Sequence, residues 1–205
     1  AKAVGVIGKT AEQKLDLDKL LVPIYDAAQN IVAWCLTLPY LRSAEITGLN
    51  EHSSDNQSAV AYLHQQLIAE AKARKQPDQA LILMSHAHML GGETSDSERP
   101  IVVGNEEALS TALFDEMIDY VALGHLHKPQ QVGQPHIRYS GSPIPLSFSE
   151  LNYKHQVLEV RIDPLQADAQ RFQYESLLIP RTVELLRIRC ELSELITELN
   201  QLPKD

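Results

Sequence analysis

The chain has 205 residues, of which 44% are hydrophobic and 22% charged, and this balance is typical of a globular protein with a buried core. Its apolar runs are far shorter than the roughly 20 residues of a membrane-spanning helix, so none is predicted. The net charge of −9 argues against a protein that holds nucleic acid through broad phosphate neutralisation alone. A nuclease is not excluded, because bound divalent cations can supply the positive charge that meets a phosphate.

The first part of the chain combines predicted strands with one long helix. Apolar runs at residues 2–8 and 31–36 are strand candidates. A helix is predicted before the KQPDQ break at residues 75–79, because apolar side chains recur there at helical spacing. They are Val60, Leu63, Leu67, Ile68 and Ala71. His64 lies beside this stripe, and we expect it at the surface or at the edge of the core.

The middle of the chain repeats the alternation of strand and helix. A strand at residues 80–85 begins as a fully apolar run and leads into a pair of histidines, and a polar, glycine-opened loop follows at 91–100. Residues 101–104 are a short strand candidate and residues 105–118 a helix candidate. A second apolar strand, at residues 120–123, also runs into histidines.

The last third is predicted to be richer in strands. A proline-rich loop covers residues 139–155, and residues 156–163 and 171–180 alternate like an antiparallel pair. A further strand is predicted at 181–190 and a helix at 191–202. Strands that alternate with helices, followed by a run of strands, predict an α/β sandwich followed by a small α+β piece.

Histidines mark the ends of the two apolar strands. His86 follows the first, while Gly124 bends the chain after the second and opens onto His125 and His127. Open α/β sheets place ligands at the carboxyl ends of their strands, and imidazole nitrogens bind manganese, iron or zinc ions. The pattern favours a metal site, with packing or hydrogen-bonding histidines as the alternative. His88, two residues beyond the first strand, is interpreted as a loop histidine.

The predicted site lacks the carboxylates that a two-metal centre requires. Bridging oxygen anions hold two cations a few ångströms apart, yet the patterns Asp-x-His, Gly-Asp-x-x-Asp and Gly-Asn-His-Asp are absent from the sequence. Asp26, Asp96 and Asp119 are present, but none follows an apolar strand in a suitable turn. The residues alone therefore indicate a half-site of histidines without a carboxylate bridge.

Three segments resemble, in order and spacing, the SbcD-type nuclease subunits, a family within the calcineurin-like metallophosphoesterases. They are LILMSHAHM at 81–89, DYVALGHLHKPQ at 119–130 and IRYSGSPIPLSFSE at 137–150. The Gly-His-x-His turn alone indicates only the superfamily, whereas the serine- and proline-rich segment narrows the match to these nuclease subunits. The resemblance covers roughly residues 30 to 190.

The resemblance implies which residues bind metal and how the chain is organised. His86, His125 and His127 would be metal ligands for two divalent ions, Mn²⁺ by preference. The family's carboxylate ligands and general-acid histidine have no counterpart, so the chain looks like the region after the Gly-Asn-His-Asp motif. The fold implied is part of a four-layer α/β/β/α sandwich. Residues 1–180 would be the C-terminal part of the nuclease core, and 181–205 the start of a DNA-capping domain.

The resemblance also implies an activity, with partners. It implies an ATP-dependent double-strand DNA exonuclease and single-strand endonuclease that acts on ends and hairpins. The protein partner would be an SbcC-type ATPase, and the nuclease subunit would form a homodimer within a heterotetramer. A cytoplasmic location without membrane contact follows, and we expect this chain to be inactive alone. Another calcineurin-like phosphoesterase and a non-catalytic, partner-binding scaffold stay open as alternatives.

The Ser140-Gly141-Ser142 loop has two interpretations. Its hydroxyls and backbone N–H groups offer contacts to a DNA backbone at the edge of the metal cleft. A rigid loop that closes the sheet edge explains the same composition equally well. The sequence does not decide between them.

Overall fold

A six-stranded mixed sheet forms the centre of the protein in the computed structural model. The structure describes residues 8, 16–41, 59–98, 108–114, 116–167, 170–181 and 185–202. The strands are β1 (Leu21–Tyr25), β2 (Ile31–Leu38), β3 (Ala80–His86), β4 (Tyr120–Gly124), β5 (Gln130–Gln131) and β6 (Ile137–Tyr139). They lie in the order β1-β2-β3-β4-β6-β5. Strands β2, β3, β4 and β6 are parallel, and the edge strands β1 and β5 are antiparallel to their neighbours.

The predicted strands that end in histidine are confirmed as β3 and β4. They pair in parallel, and His86 lies opposite Gly124 at the carboxyl end of the ladder. Leu81, Leu83 and Val121 are fully buried, which explains the near-continuous apolar sequence of both strands. The register therefore brings the two histidine-bearing turns to the same edge of the sheet.

The predicted amphipathic helix is confirmed as α1 (Ala59–Arg74), which contacts β2. Its buried face carries Leu63, Leu67, Ile68 and Ala71. Each fully buried leucine contributes about 2 kcal/mol of hydrophobic stabilisation. The prediction for His64 is wrong, since this side chain is fully buried. Its Nδ1 lies 2.8 Å from the Val60 carbonyl oxygen and its Nε2 3.0 Å from Ser85 Oγ, so the core satisfies both ring nitrogens.

The helix predicted at residues 105–118 is wrong for the described residues of that stretch. Only a short 3-10 helix, Thr111–Leu113, forms there. Leu109 instead forms an isolated parallel β-bridge with Met89. Ser110 has an extended backbone, and its side chain accepts a hydrogen bond from the Ala112 N–H. These contacts occupy backbone groups that a longer helix would need. The strands predicted at 2–8 and 101–104 lie outside the described residues, apart from Gly8.

An antiparallel hairpin of β7 (Gln156–Ile162) and β8 (Phe172–Leu178) follows the sheet, as predicted. The predicted last helix is confirmed in shorter form as α2 (Leu195–Asn200). The strand predicted at 181–190 is wrong for residues 185–190, which form no strand. The described residues thus form a mixed α/β fold with a six-stranded sheet and a small hairpin. None of their helices has the length and apolar character to cross a bilayer.

Candidate metal centre

The structure brings three histidines together at the carboxyl ends of β3 and β4. The ring centroids of His86 and His125 are 5.3 Å apart, and those of His88 and His125 are 6.0 Å apart. Tyr40 packs edge-on against His86 at 5.4 Å. Two of the predicted ligands, His86 and His125, are therefore neighbours, with His88 on the same cluster.

Burial keeps the imidazoles of His86 and His125 neutral. Loss of water lowers the pKa of His86. The pKa of His125 falls to about 4, first because of burial and then because His86 and His88 repel its positive form. Within the described part of the chain, neither ring makes a hydrogen bond. Neutral imidazoles with open lone pairs have the chemistry of ligands for a divalent cation.

The turn that carries His125 has an unusual backbone. His125 has a φ of 117°, a region that residues with a side chain rarely adopt. Such a conformation costs on the order of 1–3 kcal/mol and occurs preferentially at functional sites. Gly124 leaves room for the His86 ring, since a Cβ there would lie 3.3 Å from His86 Nδ1, closer than ordinary van der Waals contact.

His127, the third predicted ligand, is held by a separate set of contacts. Its Nδ1 lies 2.8 Å from Glu150 Oε1 and 2.8 Å from Ser97 Oγ. Its backbone N–H donates to Glu98 Oε1 at 2.8 Å. The described residues thus anchor one ring nitrogen and the main chain of His127, and they leave Nε2 as the nitrogen without a protein partner.

Glu150 is a fully buried acid at the centre of these contacts. Burial by itself raises the pKa of this carboxyl, but the N–H of Leu146, the Ser97 hydroxyl and His127 outweigh it and lower the pKa to about 2. The Leu146 N–H donates to Oε2 at 2.8 Å, and Ser95 Oγ lies 2.9 Å from Oε1. Ser97 also donates to Oε1. Glu150 is therefore charged throughout the neutral pH range.

The Ser140-Gly141-Ser142 loop packs against the Gly-His-x-His turn. The Ser142 N–H donates to the His127 carbonyl oxygen at 3.0 Å. Gly141 has a φ of 88°, and a Cβ there would lie 2.7 Å from the same oxygen. Ser140 donates its hydroxyl to Gln156 O at 3.2 Å, and the Ser142 hydroxyl lies 3.4 Å from Glu150 Oε2. Both serine hydroxyls therefore have partners within the protein.

The Tyr139 side chain holds the turn at residues 86–88 through two hydrogen bonds to its backbone. This ring is fully buried, and burial raises the pKa of its phenol. The phenol donates to the Ala87 carbonyl oxygen at 2.5 Å and accepts from the Met89 N–H at 3.0 Å. One side chain of β6 thus holds the backbone on both sides of His88.

The carboxylates singled out in the sequence lie away from the histidine cluster or serve other partners. Asp119 is buried at the amino end of β4, where Oδ2 accepts from the Leu81 N–H at 2.7 Å. Asp26 caps the exposed β1–β2 turn through Asn30. Asp96 lies in the 91–98 loop, and its N–H donates to Ser149 Oγ at 3.2 Å. None of them approaches the cluster as a bridging ligand.

Sequence reasoning missed the two acids that contact His127. Glu98 lies in a loop and Glu150 ends a short 3-10 helix, Phe148–Glu150, so no strand-end pattern marks them. A Ser-x-Ser-Glu run at 95–98 and a Ser-x-Ser-Glu run at 147–150 are the shared pattern that could have found them. The described residues contain no group of three or more His, Cys, Asp or Glu side chains placed to hold a metal ion. Each histidine therefore has the chemistry of a metal ligand, but the described residues do not form a complete set of ligands.

These features define a class of protein: an α/β fold with a histidine cluster at the carboxyl edge of its parallel strands. No family model matches the chain. The chain is 36% identical over 197 residues to SbcD, the nuclease subunit of SbcCD, from Rhodobacter capsulatus, an alignment that covers 92% of this chain and 47% of the relative. It is a homologue of SbcD, which confirms the resemblance drawn from its motifs. The chain spans about half the length of this curated relative.

Proposed function

We propose that this chain carries the histidine half of the two-metal site of a DNA nuclease subunit. The observation that carries the proposal is the pairing of His86 and His125 at 5.3 Å, at the strand ends of a chain homologous to a nuclease subunit. In this proposal the reaction is hydrolysis of DNA phosphodiester bonds at ends and hairpins, as a double-strand exonuclease and single-strand endonuclease.

The proposal includes the larger architecture. The six-stranded sheet and α1 would be part of a four-layer α/β/β/α sandwich. Residues 1–180 would form the C-terminal part of the nuclease core, and residues 181–205 the start of a DNA-capping domain. The exposed apolar side chains of the last described segment are consistent with a surface that another element covers, Leu192 and Ile196 being 85% and 72% exposed.

The chemistry proposed for the residues follows from their states. His86 and His125 would each offer a neutral nitrogen, and His127 would offer Nε2 while Glu150 accepts the proton on Nδ1. Two divalent ions, Mn²⁺ by preference, would polarise the scissile phosphate and supply the nucleophilic hydroxide when bound. This chain provides no catalytic acid in the proposal, so its own residues bind and orient.

The surroundings of the site bear on its partners. In the proposal, double-stranded and hairpin DNA approaches the cluster past the Ser140-Gly141-Ser142 loop. Because Ser140 and Ser142 donate their hydroxyls internally, the loop would position His127 and offer DNA its remaining backbone groups. An SbcC-type ATPase would be the protein partner, in a heterotetramer with two nuclease subunits, and the location would be the cytoplasm.

One observation favours a second candidate, a non-catalytic scaffold that binds a partner. The described residues contain no three-residue ligand set, and the acids nearest the cluster, Glu98 and Glu150, are committed to hydrogen bonds. A scaffold needs the fold without a complete site. Another calcineurin-like phosphoesterase is a weaker alternative, since the matched relative is a nuclease subunit.

A chimera tests the proposal against the scaffold. This chain would replace the homologous 47% of SbcD from Rhodobacter capsulatus, and cleavage of linear and hairpin DNA would be measured with Mn²⁺. We expect the chimera to cleave and the His125→Ala, His127→Ala double variant to be inactive. His136→Ala, a histidine at the opposite end of the sheet, is the matched control and should remain active. A folded but inactive chimera would favour the scaffold.

The chain by itself gives a second test. With Mn²⁺ and the same DNA substrates, we expect no cleavage, because the described ligands are incomplete. Cleavage that the His125→Ala, His127→Ala variant abolishes would mean that the chain supplies its own bridging carboxylates. The half-site interpretation would then be wrong, and Asp26, Asp96 and Asp119 would be the first residues to test.

A further inference from the structure

We infer that Glu150 is a positioning residue that fixes the tautomer and ring orientation of His127. The inference rests on the proposed function, in which His127 Nε2 binds metal, and deepens it by naming the group that prepares this nitrogen. The buried Glu150 carboxylate contacts the His127 ring and connects it to the 95–98 loop.

Hydrogen-bond donors surround the Glu150 carboxylate. The Leu146 N–H can only donate, and it does so to Glu150 Oε2 at 2.8 Å. Ser97 donates its hydroxyl to Oε1, and Ser95 Oγ lies 2.9 Å from the same oxygen. No lysine or arginine pairs with Glu150 among the described residues, so N–H and O–H donors satisfy this buried acid.

The proton on His127 lies on Nδ1. An ionised carboxylate can only accept, so Nδ1, 2.8 Å from Glu150 Oε1, must carry the proton. Ser97 Oγ also lies 2.8 Å from Nδ1 and, with its own proton donated to Oε1, can likewise only accept. Nε2 then holds the lone pair. A histidine whose second nitrogen donates to a carboxylate is a recurring arrangement around bound metals, where the carboxylate orients the ring and makes its free nitrogen more basic.

The loop at residues 95–98 contacts both Glu150 and His127. Glu98 accepts from the His127 backbone N–H at 2.8 Å and from the Ser95 hydroxyl at 2.7 Å. Ser95 and Ser97 therefore link Glu98, which holds the main chain of His127, to Glu150, which holds its ring. This division of roles offers a matched pair of variants. Glu150→Ala removes the acceptor of the ring, whereas Glu98→Gln alters the contacts with the His127 main chain and with Ser95 and leaves the Glu150 carboxylate in place.

The experiment measures the tautomer of His127 in the 205-residue chain. Long-range ¹H–¹⁵N NMR of the metal-free protein at pH 8 separates the two forms, and His127→Ala assigns the signals. We expect the Nδ1–H form in the wild type and in Glu98→Gln. In Glu150→Ala we expect the Nε2–H form, which free neutral histidine prefers. An Nε2–H form in the wild type, or an unchanged Nδ1–H form in folded Glu150→Ala, would overturn the inference.

Mn²⁺ titration of the same variants separates this inference from the proposed function. We expect Glu150→Ala to weaken Mn²⁺ binding about tenfold or more, as loss of such an orienting carboxylate does elsewhere, and Glu98→Gln to weaken it less. If His127→Ala leaves the affinity unchanged, His127 is not a ligand and the proposed function fails. If His127→Ala weakens binding but folded Glu150→Ala does not, the positioning role alone is wrong. An Nε2–H form in the wild-type spectrum would overturn the inference by itself, so the inference stays testable even if a variant fails to fold.

Discussion

A buried acid lies near each end of β4, and the two acids have opposite kinds of partners. At the amino end, Asp119 accepts from the Leu81 N–H at 2.7 Å and pairs with the Arg171 guanidinium. At the carboxyl end, Glu150 contacts His127 and serine hydroxyls. Asp119 joins β3 to Arg171, the residue before β8, whereas Glu150 joins the 95–98 loop to a histidine whose Nε2 has no partner among the described residues.

This difference separates a structural acid from an acid that prepares a site. The partners of Asp119 are a backbone group and a permanent cation, and neither offers a coordination position. The partner of Glu150 is an imidazole, whose tautomer decides which nitrogen can bind a ligand. Burial alone therefore does not identify a functional acid, but the identity of its partners does.

The largest effect expected on stability comes from the amino end. Asp119→Ala leaves the Leu81 N–H and Arg171 without their acceptor, so we expect a loss of about 3–4 kcal/mol in the free energy of unfolding. Urea denaturation measures it. Asp18→Ala removes an acid that pairs with Arg74 but is 72% exposed, and it should cost less than about 1 kcal/mol. Equal losses would show that the Asp119 contacts are not what stabilises this end.

A glycine pair tests the carboxyl end. Gly141→Ala combines a φ of 88° with a Cβ 2.7 Å from the His127 carbonyl oxygen, so we expect a loss of about 3 kcal/mol. Gly91 has a φ of 84° and nothing within 4 Å of its Cβ position, so Gly91→Ala should cost only about 1 kcal/mol of backbone strain. Thermal denaturation compares them, and similar losses would argue against tight packing of the loop on the Gly-His-x-His turn.

Acid should destabilise the protein through His64, the buried histidine of α1. Burial lowers the pKa of His64 to about 4 from an ordinary 6.5, so its contribution is complete above pH 6.5 and is lost as the pH falls toward 4. We expect a loss of about 2.5 kcal/mol by pH 4.5 from this group. Glutamine at position 64 does not titrate. Between pH 6.5 and pH 4.5 the free energy of unfolding of His64→Gln should therefore fall by about 2.5 kcal/mol less than that of the wild type. Parallel profiles would show that His64 does not set the acid sensitivity.

The smallest effect is predicted for Tyr139→Phe. The variant leaves the buried Met89 N–H without its acceptor, which should cost about 1–2 kcal/mol. It should also loosen the turn with His86 and His88, and hydrogen exchange at the amides of residues 87–89 would report this. Tyr174→Phe, in a ring that is 43% exposed, is the control and should change neither quantity. Unchanged exchange in Tyr139→Phe would mean that the phenol does not hold this turn.

Sequence patterns predicted an element correctly where the spacing of its apolar residues alone determines its structure. The apolar runs that became β3 and β4 and the helical stripe of α1 were predicted correctly, because period and burial coincide there. The same rule located His86 and His125 at one edge of the sheet. The helix predicted at 105–118 failed because Leu109 bridges Met89 and Ser110 is extended, and such long-range pairing leaves no trace in a local window.

The contacts of the buried polar groups could not be predicted from local patterns. His64 lies on the helical face between Val60 and Leu67, and only the position of Ser85 on β3 gives a buried histidine its second partner there. Glu150 and Ser97 are 53 residues apart in sequence and meet through loop packing. Partners this distant are set by tertiary structure, so the sequence indicated the histidines of the site but not the acids that hold them.

The most direct test of the central claim is a Mn²⁺ titration of the chain followed by electron paramagnetic resonance. It compares the wild type with His86→Ala, His125→Ala and with His136→Ala, which changes a histidine at the amino end of the sheet. We predict weak Mn²⁺ binding that the double variant weakens about tenfold or more and that the control retains. Equal binding by the double variant would show that the histidine cluster is not a metal site. Tight binding of two ions by the wild type would contradict the half-site.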